Sequence, residues 1–215
     1  MNLPDPFYLI LALSLMALVP FLAVMLTSFV KIVVVLSLLR NALGVQQIPP
    51  NMALHGLAII LSIYIMAPVG YAIADIVTAN PVQWDDPAAL KEILIQAAEP
   101  LREFLSKYSS EEERQFFLHT AQKLWPEEMA NSVDGDHFLI LIPTFVVSEL
   151  TSAFEIGFLL YLPFIVIDLI VSNILLAMGM MMVSPMTISL PFKLLLFVLL
   201  DGWAKLIHGL VLSYQ

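Results

Sequence analysis

Charged residues divide the chain into long apolar runs and one polar interval. Residues 6–30 carry no charge. At about 1.5 Å per residue, that run is long enough to cross a hydrocarbon layer of about 30 Å as a helix. Lys31 and Arg40 follow, and then "NALGVQQIPPN", where Asn41, Gly44 and the Pro49–Pro50 pair predict a turn. A second uncharged run extends from Asn41 to Ala74. Within it "MALHGLAIILSIYIMAPV", residues 52–69, predicts an apolar helix whose end is bent by Pro68. From Phe138 to Val183 only Glu149, Glu155 and Asp168 are charged in 46 residues. A single helix of that run would measure about 69 Å, more than twice a bilayer core. The pattern therefore predicts a break, with Pro163 in "YLPF" as its place. "ISLPFKLLLFVLLDGWAKLIHGLVLSY" predicts a last apolar helix from about Phe192.

The polar interval reads differently. "DDPAALKEILIQAA" puts Pro87 just inside a helix start, a position that suits proline. Pro100 predicts a break before "LREFLSKY". "SEEERQFFLHTAQKLW" opens with a capping box, Ser110 and Glu113, and places Phe117, Ala121, Leu124 and Trp125 on one helical face. The glutamates at 111–113 suit the positive end of the helix dipole, and as a charge run they read as a solvated helix start. Three segments result: an N-terminal hydrophobic hairpin over 1–75, an acidic helical insert over 76–137, and broken hydrophobic helices over 138–215. The fold class is all-α, of the polytopic membrane type.

Composition agrees with the pattern. The 215 residues are 60% hydrophobic and only 13% charged, about half the charge usual for a soluble domain. Mean hydropathy is +0.91. The net charge is −9, of which residues 76–138 supply −7 through twelve acids and five bases. With no basic patch to neutralise phosphates, nucleic acid is excluded as a partner. The chain contains no cysteine, so there is neither a disulfide framework nor a thiolate metal site. The first basic residue is Lys31, and the apolar run before it exceeds a signal-peptide core, so the N-terminus reads as a retained membrane segment. The positive-inside tendency places the Lys31/Arg40 turn in the cytoplasm and the acidic insert outside.

Enzyme chemistry finds no support. His55, His119, His137 and His208 are isolated, with no HExxH and no phosphate loop or nucleophile elbow. "VDGDH" at 133–137 partly matches the GxGD of intramembrane aspartyl proteases, but position 133 is Val, and a turn before a membrane helix explains it better. No catalytic residue, metal or cofactor is expected. Glu149, Glu155 and Asp168 carry more information, because a carboxylate in apolar surroundings is costly without a partner. They are read either as polar contacts with Lys31, Arg40 or another subunit's base, or as a proton or ion pathway. The first is favoured. Lys193 joins this set of buried or inter-subunit polar contacts, and Asp201 and Lys205, four apart, are expected to neutralise each other.

"LLAMGMMMVSPM", residues 175–186, concentrates five of the chain's eleven methionines: Met178, Met180, Met181, Met182 and Met186. Three consecutive residues cannot share one helical face, so Met180–Met182 do not form a core stripe. Gly179 before them and Ser184–Pro185 after them predict a short loop. Methionine is unbranched and polarisable and re-packs around different surfaces. The alternative is ordinary filler of a membrane helix.

"LLRNALGVQQIPPNMALHGLAIILSIYIMAPV" and "VSELTSAFEIGFLLYLPFIVIDLIVSNILLAMGMMMVSPMTISLPFKLLLFVLLDGW" resemble the two signatures of the FliP/SctR family, export-gate proteins of type III secretion and flagellar assembly. Together they cover about 90 residues, and the virulence SctR branch fits best. Flagellar members tend to carry Gln where this chain has Glu155, so no family-wide role attaches to that charge.

The resemblance implies a pentamer-like ring of copies within a helical, conical export gate in the bacterial inner membrane, raised toward the periplasm. Its implied partners are SctS-type and SctT-type subunits, an SctU-type switch protein, an SctV-type export ring, needle or inner-rod proteins, lipid, and secreted polypeptides in transit. It implies that Met180, Met181 and Met182 form a gasket around the pore. The expectation is a pore-forming subunit for export of unfolded proteins. The alternatives are an ion channel or secondary transporter using Glu149, Glu155 and Asp168, and an assembly scaffold with no pore role.

Overall fold

The structure is a computed structural model that describes residues 6–45, 47–80 and 87–215. Asp5, Gln46 and the Asp85–Asp86 acids of the insert lie outside the described residues. Every element among the described residues is an α-helix. The helices are α1 Pro6–Met25, α2 Phe29–Leu43, α3 Asn51–Ala79, α4 Pro87–Lys107, α5 Glu111–Leu124, α6 Glu127–Ala130, α7 Phe138–Ala177, α8 Pro185–Leu199 and α9 Gly202–Leu212. α3 and α7 are each long and apolar enough to cross a membrane.

Several expected breaks are absent. α7 runs unbroken for 40 residues through Pro163. α4 runs through Pro100, and α3 continues past Pro68 to Ala79. One interior proline loses a single N–H donor and crowds the turn before it, at about 3 kcal/mol. In the apolar helices α3 and α7, ending the helix at Pro68 or Pro163 would strand several more backbone groups where no water replaces their partners. The converse error lies at the C-terminal end. The last apolar run begins at Pro185 rather than Phe192, and it is two helices, α8 and α9, bent by 61°. Asp201 at the junction is left-handed, with φ +51°. Lys31, expected in a turn, lies in the first turn of α2.

The chain divides into two compact units, Met1–Val30 with Pro68–Ser148, and Lys31–Ala67 with Glu149–Gln215. In the first, Phe104 of α4 meets Tyr108 at 5.0 Å and Phe145 of α7 at 5.6 Å between ring centroids. Leu105, Ile140 and Leu141 are buried beside them in sequence. Ser110 does cap α5, but its side chain makes no capping bond. Its backbone N–H donates instead to Ser148 Oγ at 2.8 Å, so the reciprocal bond from Glu113 is not needed. Ala121 is buried, whereas Leu124, expected on the same face, is exposed. The 133–137 segment is a turn. The Asp136 N–H donates to Asp134 Oδ1, and Asp136 accepts from Arg114 Nη1 at 3.1 Å.

The second unit packs around α2. Ile32, Val35, Leu36, Leu39 and Leu43 recur at spacings of three and four and are buried. Along α7 the buried stripe is Glu149, Ala153, Gly157, Phe164, Val171 and Leu175. Its small members let α2 come close: a Cβ on Gly157 would collide with the Leu38 side chain. The other side of α7 leaves Phe154, Phe158, Leu162, Ile165 and Leu169 exposed. A surface so apolar needs lipid or protein against it.

Candidate functional site

The methionine segment is built by two helix-ending devices. At the end of α7, the Met180 N–H donates to Leu175 O at 2.9 Å and the Gly179 N–H to Leu176 O at 3.0 Å, with Gly179 at φ +73°. These are the paired bonds of a Schellman stop, in which glycine takes the left-handed position that a Cβ would disfavour. On the far side, Ser184 is the N-cap of α8 and Pro185 opens the helix, where its missing N–H costs nothing. Between them the chain cannot be helical. Met178 is 67% exposed, Met180 41%, Met181 82% and Met182 102%, while Met186 in the first turn of α8 is 57% exposed. Burying a methionine side chain stabilises by about 1.5–3 kcal/mol, so this loop leaves a large apolar contribution unused inside one chain.

The stalk of that loop is fixed by charge. Lys193 of α8 donates to Asp168 Oδ2 of α7 at 2.6 Å and to the Ala42 carbonyl of α2 at 3.1 Å. Ser189 donates to Asp168 Oδ1 at 2.6 Å. The Lys193 side chain is 4% exposed, that of Asp168 34%. Three helices are therefore joined by one ammonium and one carboxylate.

A second pair lies deeper. Lys31 Nζ donates to Glu149 Oε1 at 3.0 Å, with both side chains almost wholly enclosed. The Tyr214 hydroxyl donates to the other Glu149 oxygen, and its ring lies under Lys31 at 3.8 Å from Nζ to centroid. Removing one member of such a pair strands the other without water, which is why both are held by more than one contact.

The remaining sequence candidates are placed otherwise. Among the described residues Arg40 meets no carboxylate; its Nη1 donates to Pro49 O at 3.3 Å and to Asn51 Oδ1, closing the α2–α3 turn. Glu155, Asp201 and Lys205 are exposed. No ion pair joins Asp201 to Lys205, because the left-handed Asp201 stands outside the helix whose spacing would have aligned them. Glu149 lies on the buried stripe of α7, Asp168 is half-buried against Lys193 and Ser189, and Glu155 is exposed on the opposite side, so the three carboxylates do not line one path. Among the described residues no His, Asp and Glu cluster could hold a metal. The sequence reading missed Tyr214 and Ser189. Ser189 stands four residues before Lys193, a spacing that places both on one face. Tyr214, next to last in the chain, carries no comparable signal.

The sequence pattern of the FliP family matches residues 12–210, nearly the whole chain. The chain belongs to the FliP family. Relatives place it in the virulence type III secretion (SctR) branch of FliP proteins. It is 61% identical to the Yop proteins translocation protein R of Yersinia pestis over 213 residues, 99% of this chain and 98% of the relative. The virulence protein YscR of Salmonella typhimurium is 52% identical over 217 residues, covering both chains completely. The hypersensitivity response secretion protein HrcR of Ralstonia nicotianae is 51% identical over 201 residues, 93% of each chain. FliP-family proteins are components of the export apparatus, and here the methionine loop and both ion pairs fall inside the matched residues.

Proposed function

We propose that the chain is a pore-forming subunit of the type III export gate, conducting unfolded proteins across the bacterial inner membrane. Copies form a pentamer-like ring with SctS-type and SctT-type subunits, against an SctU-type switch protein, an SctV-type export ring and needle or rod proteins. Met180, Met181 and Met182 project from each copy into the opening and make its gasket. One observation supports this reading: a loop fixed at both ends by helix-ending devices presents three consecutive methionines, of which Met181 and Met182 are almost fully exposed and Met180 is partly exposed, with no described residue covering Met181 or Met182. A ring of thioethers excludes ions by offering no polar partner. It also deforms around a polypeptide of any sequence, because each side chain has three rotatable bonds. The buried stripe of α7 and its two ion pairs hold the loop's stalk while the loop itself yields.

The test is the triple substitution of Met180, Met181 and Met182 by alanine, with inner-membrane leakage of a small solute and secretion measured in the same cells. Leakage rises while secretion persists. Unchanged permeability with normal protein levels removes the gasket.

A further inference from the structure

The second unit carries two charges on apolar surfaces that have no ion-pair partner among the described residues. Glu155 stands on the exposed side of α7, where Phe154 is 59% exposed, Phe158 62% and Leu162 42%. Lys205 stands at the rim of an apolar cavity of about 420 Å³ lined by Leu39, Ile156, Leu160, Phe164, Leu196 and Leu206, among others. It is the one charged side chain of that lining. Among the described residues neither Glu155 nor Lys205 makes an ion pair or a side-chain hydrogen bond.

The other charges of the unit are accounted for. Lys31 and Lys193 hold Glu149 and Asp168, and Arg40 holds its turn. Asp201 sits at the amino end of α9, where the helix dipole favours an anion. One base and one acid are left over, each on a surface where an unpaired charge is expensive. The acid crowns an apolar ridge and the base rims an apolar groove. Both halves of the contact belong to this chain, so a second copy supplies what each lacks.

We propose that Glu155 of one copy pairs with Lys205 of the next, with the Phe154–Phe158 ridge seated in the neighbour's apolar groove. The proposal rests on the ring reading and deepens it. Ridge and groove are different surfaces, so the contact is head-to-tail and propagates, as a ring requires.

The native chain has no cysteine, so introduced thiols are the only ones in it. A Glu–Lys contact is longer than a disulfide allows, so a short bis-maleimide is the appropriate linker. Glu155→Cys and Lys205→Cys, on two differently tagged copies in cells expressing the complete apparatus, should give a cross-linked dimer carrying both tags. Its yield should be at least about tenfold that of either variant with itself. The double variant should give a ladder beyond the dimer; dimers alone would overturn the head-to-tail arrangement.

Glu155→Lys and Lys205→Glu should each reduce the native-gel oligomer about tenfold, and the two together should restore it. An intact oligomer in both single variants overturns the pairing and leaves the ring standing. Absence of any oligomer in the unaltered protein overturns the ring reading itself.

Discussion

Replacing Glu149 with alanine strands a lysine that water cannot reach. The Lys31 and Glu149 side chains are 4% and 3% exposed and 3.0 Å apart, so neither is solvated when the other is lost. Breaking a buried pair from one side costs about 3–5 kcal/mol. The cation–π contact of Lys31 with Tyr214, about 2 kcal/mol when desolvated, is present before and after and offsets none of that loss. The second pair supplies the comparison. Asp168 is 34% exposed and keeps the Ser189 hydroxyl when Lys193 is removed. Lys193→Met should then cost about 1–2 kcal/mol, because water solvates much of the remaining carboxylate. Removing both charges of the deeper pair, as Lys31→Met with Glu149→Leu, should return stability to within about 1 kcal/mol of the parent, since no charge is left stranded. The assay is SDS titration of the detergent-purified chain, followed by helical circular dichroism. The expected order of destabilisation is Glu149→Ala, then Lys193→Met, then the double variant. A Glu149→Ala cost below about 1 kcal/mol, or a double variant as unstable as the single one, would refute the reasoning.

Further outcomes follow from single contacts. Tyr214→Phe keeps the ring over Lys31 and loses the bond to Glu149, so it should destabilise by about 1.5–3 kcal/mol in the same titration. Gly157→Ala should cost about 1–2 kcal/mol, because crowding against Leu38 outweighs the gain in helix propensity. Gly56→Ala, with nothing within 4 Å of the new methyl, should stabilise by up to about 1 kcal/mol. Gly179→Ala should cost about 1 kcal/mol through backbone strain alone, since its Cβ also meets nothing while φ is +73°.

The parts legible in the sequence were those that local chemistry decides. Gly179 and Ser184–Pro185 bracketed the methionine loop because a left-handed stop and a proline start act within one turn. The pairing of an intramembrane carboxylate with Lys31 could be anticipated as a class, because so few bases were available. Which carboxylate it meets depends on α2 and α7 packing across 118 residues of sequence, and no local rule reaches that far. The prolines misled for a related reason. Pro100 and Pro163 each break one bond, and whether a helix continues depends on what surrounds the turn. Asp201 and Lys205 illustrate the opposite failure: their spacing of four presupposed a helix that the left-handed Asp201 ends.

The central claim is that the methionine loop lies on the path of exported protein. The direct test is photo-crosslinking from a reactive residue at position 181, in secreting cells holding a stalled export substrate. The account predicts a covalent adduct between position 181 and the substrate, lost when the substrate is released. Adducts only to neighbouring subunits or lipid, with secretion intact, would contradict it and move the constriction to another part of the gate.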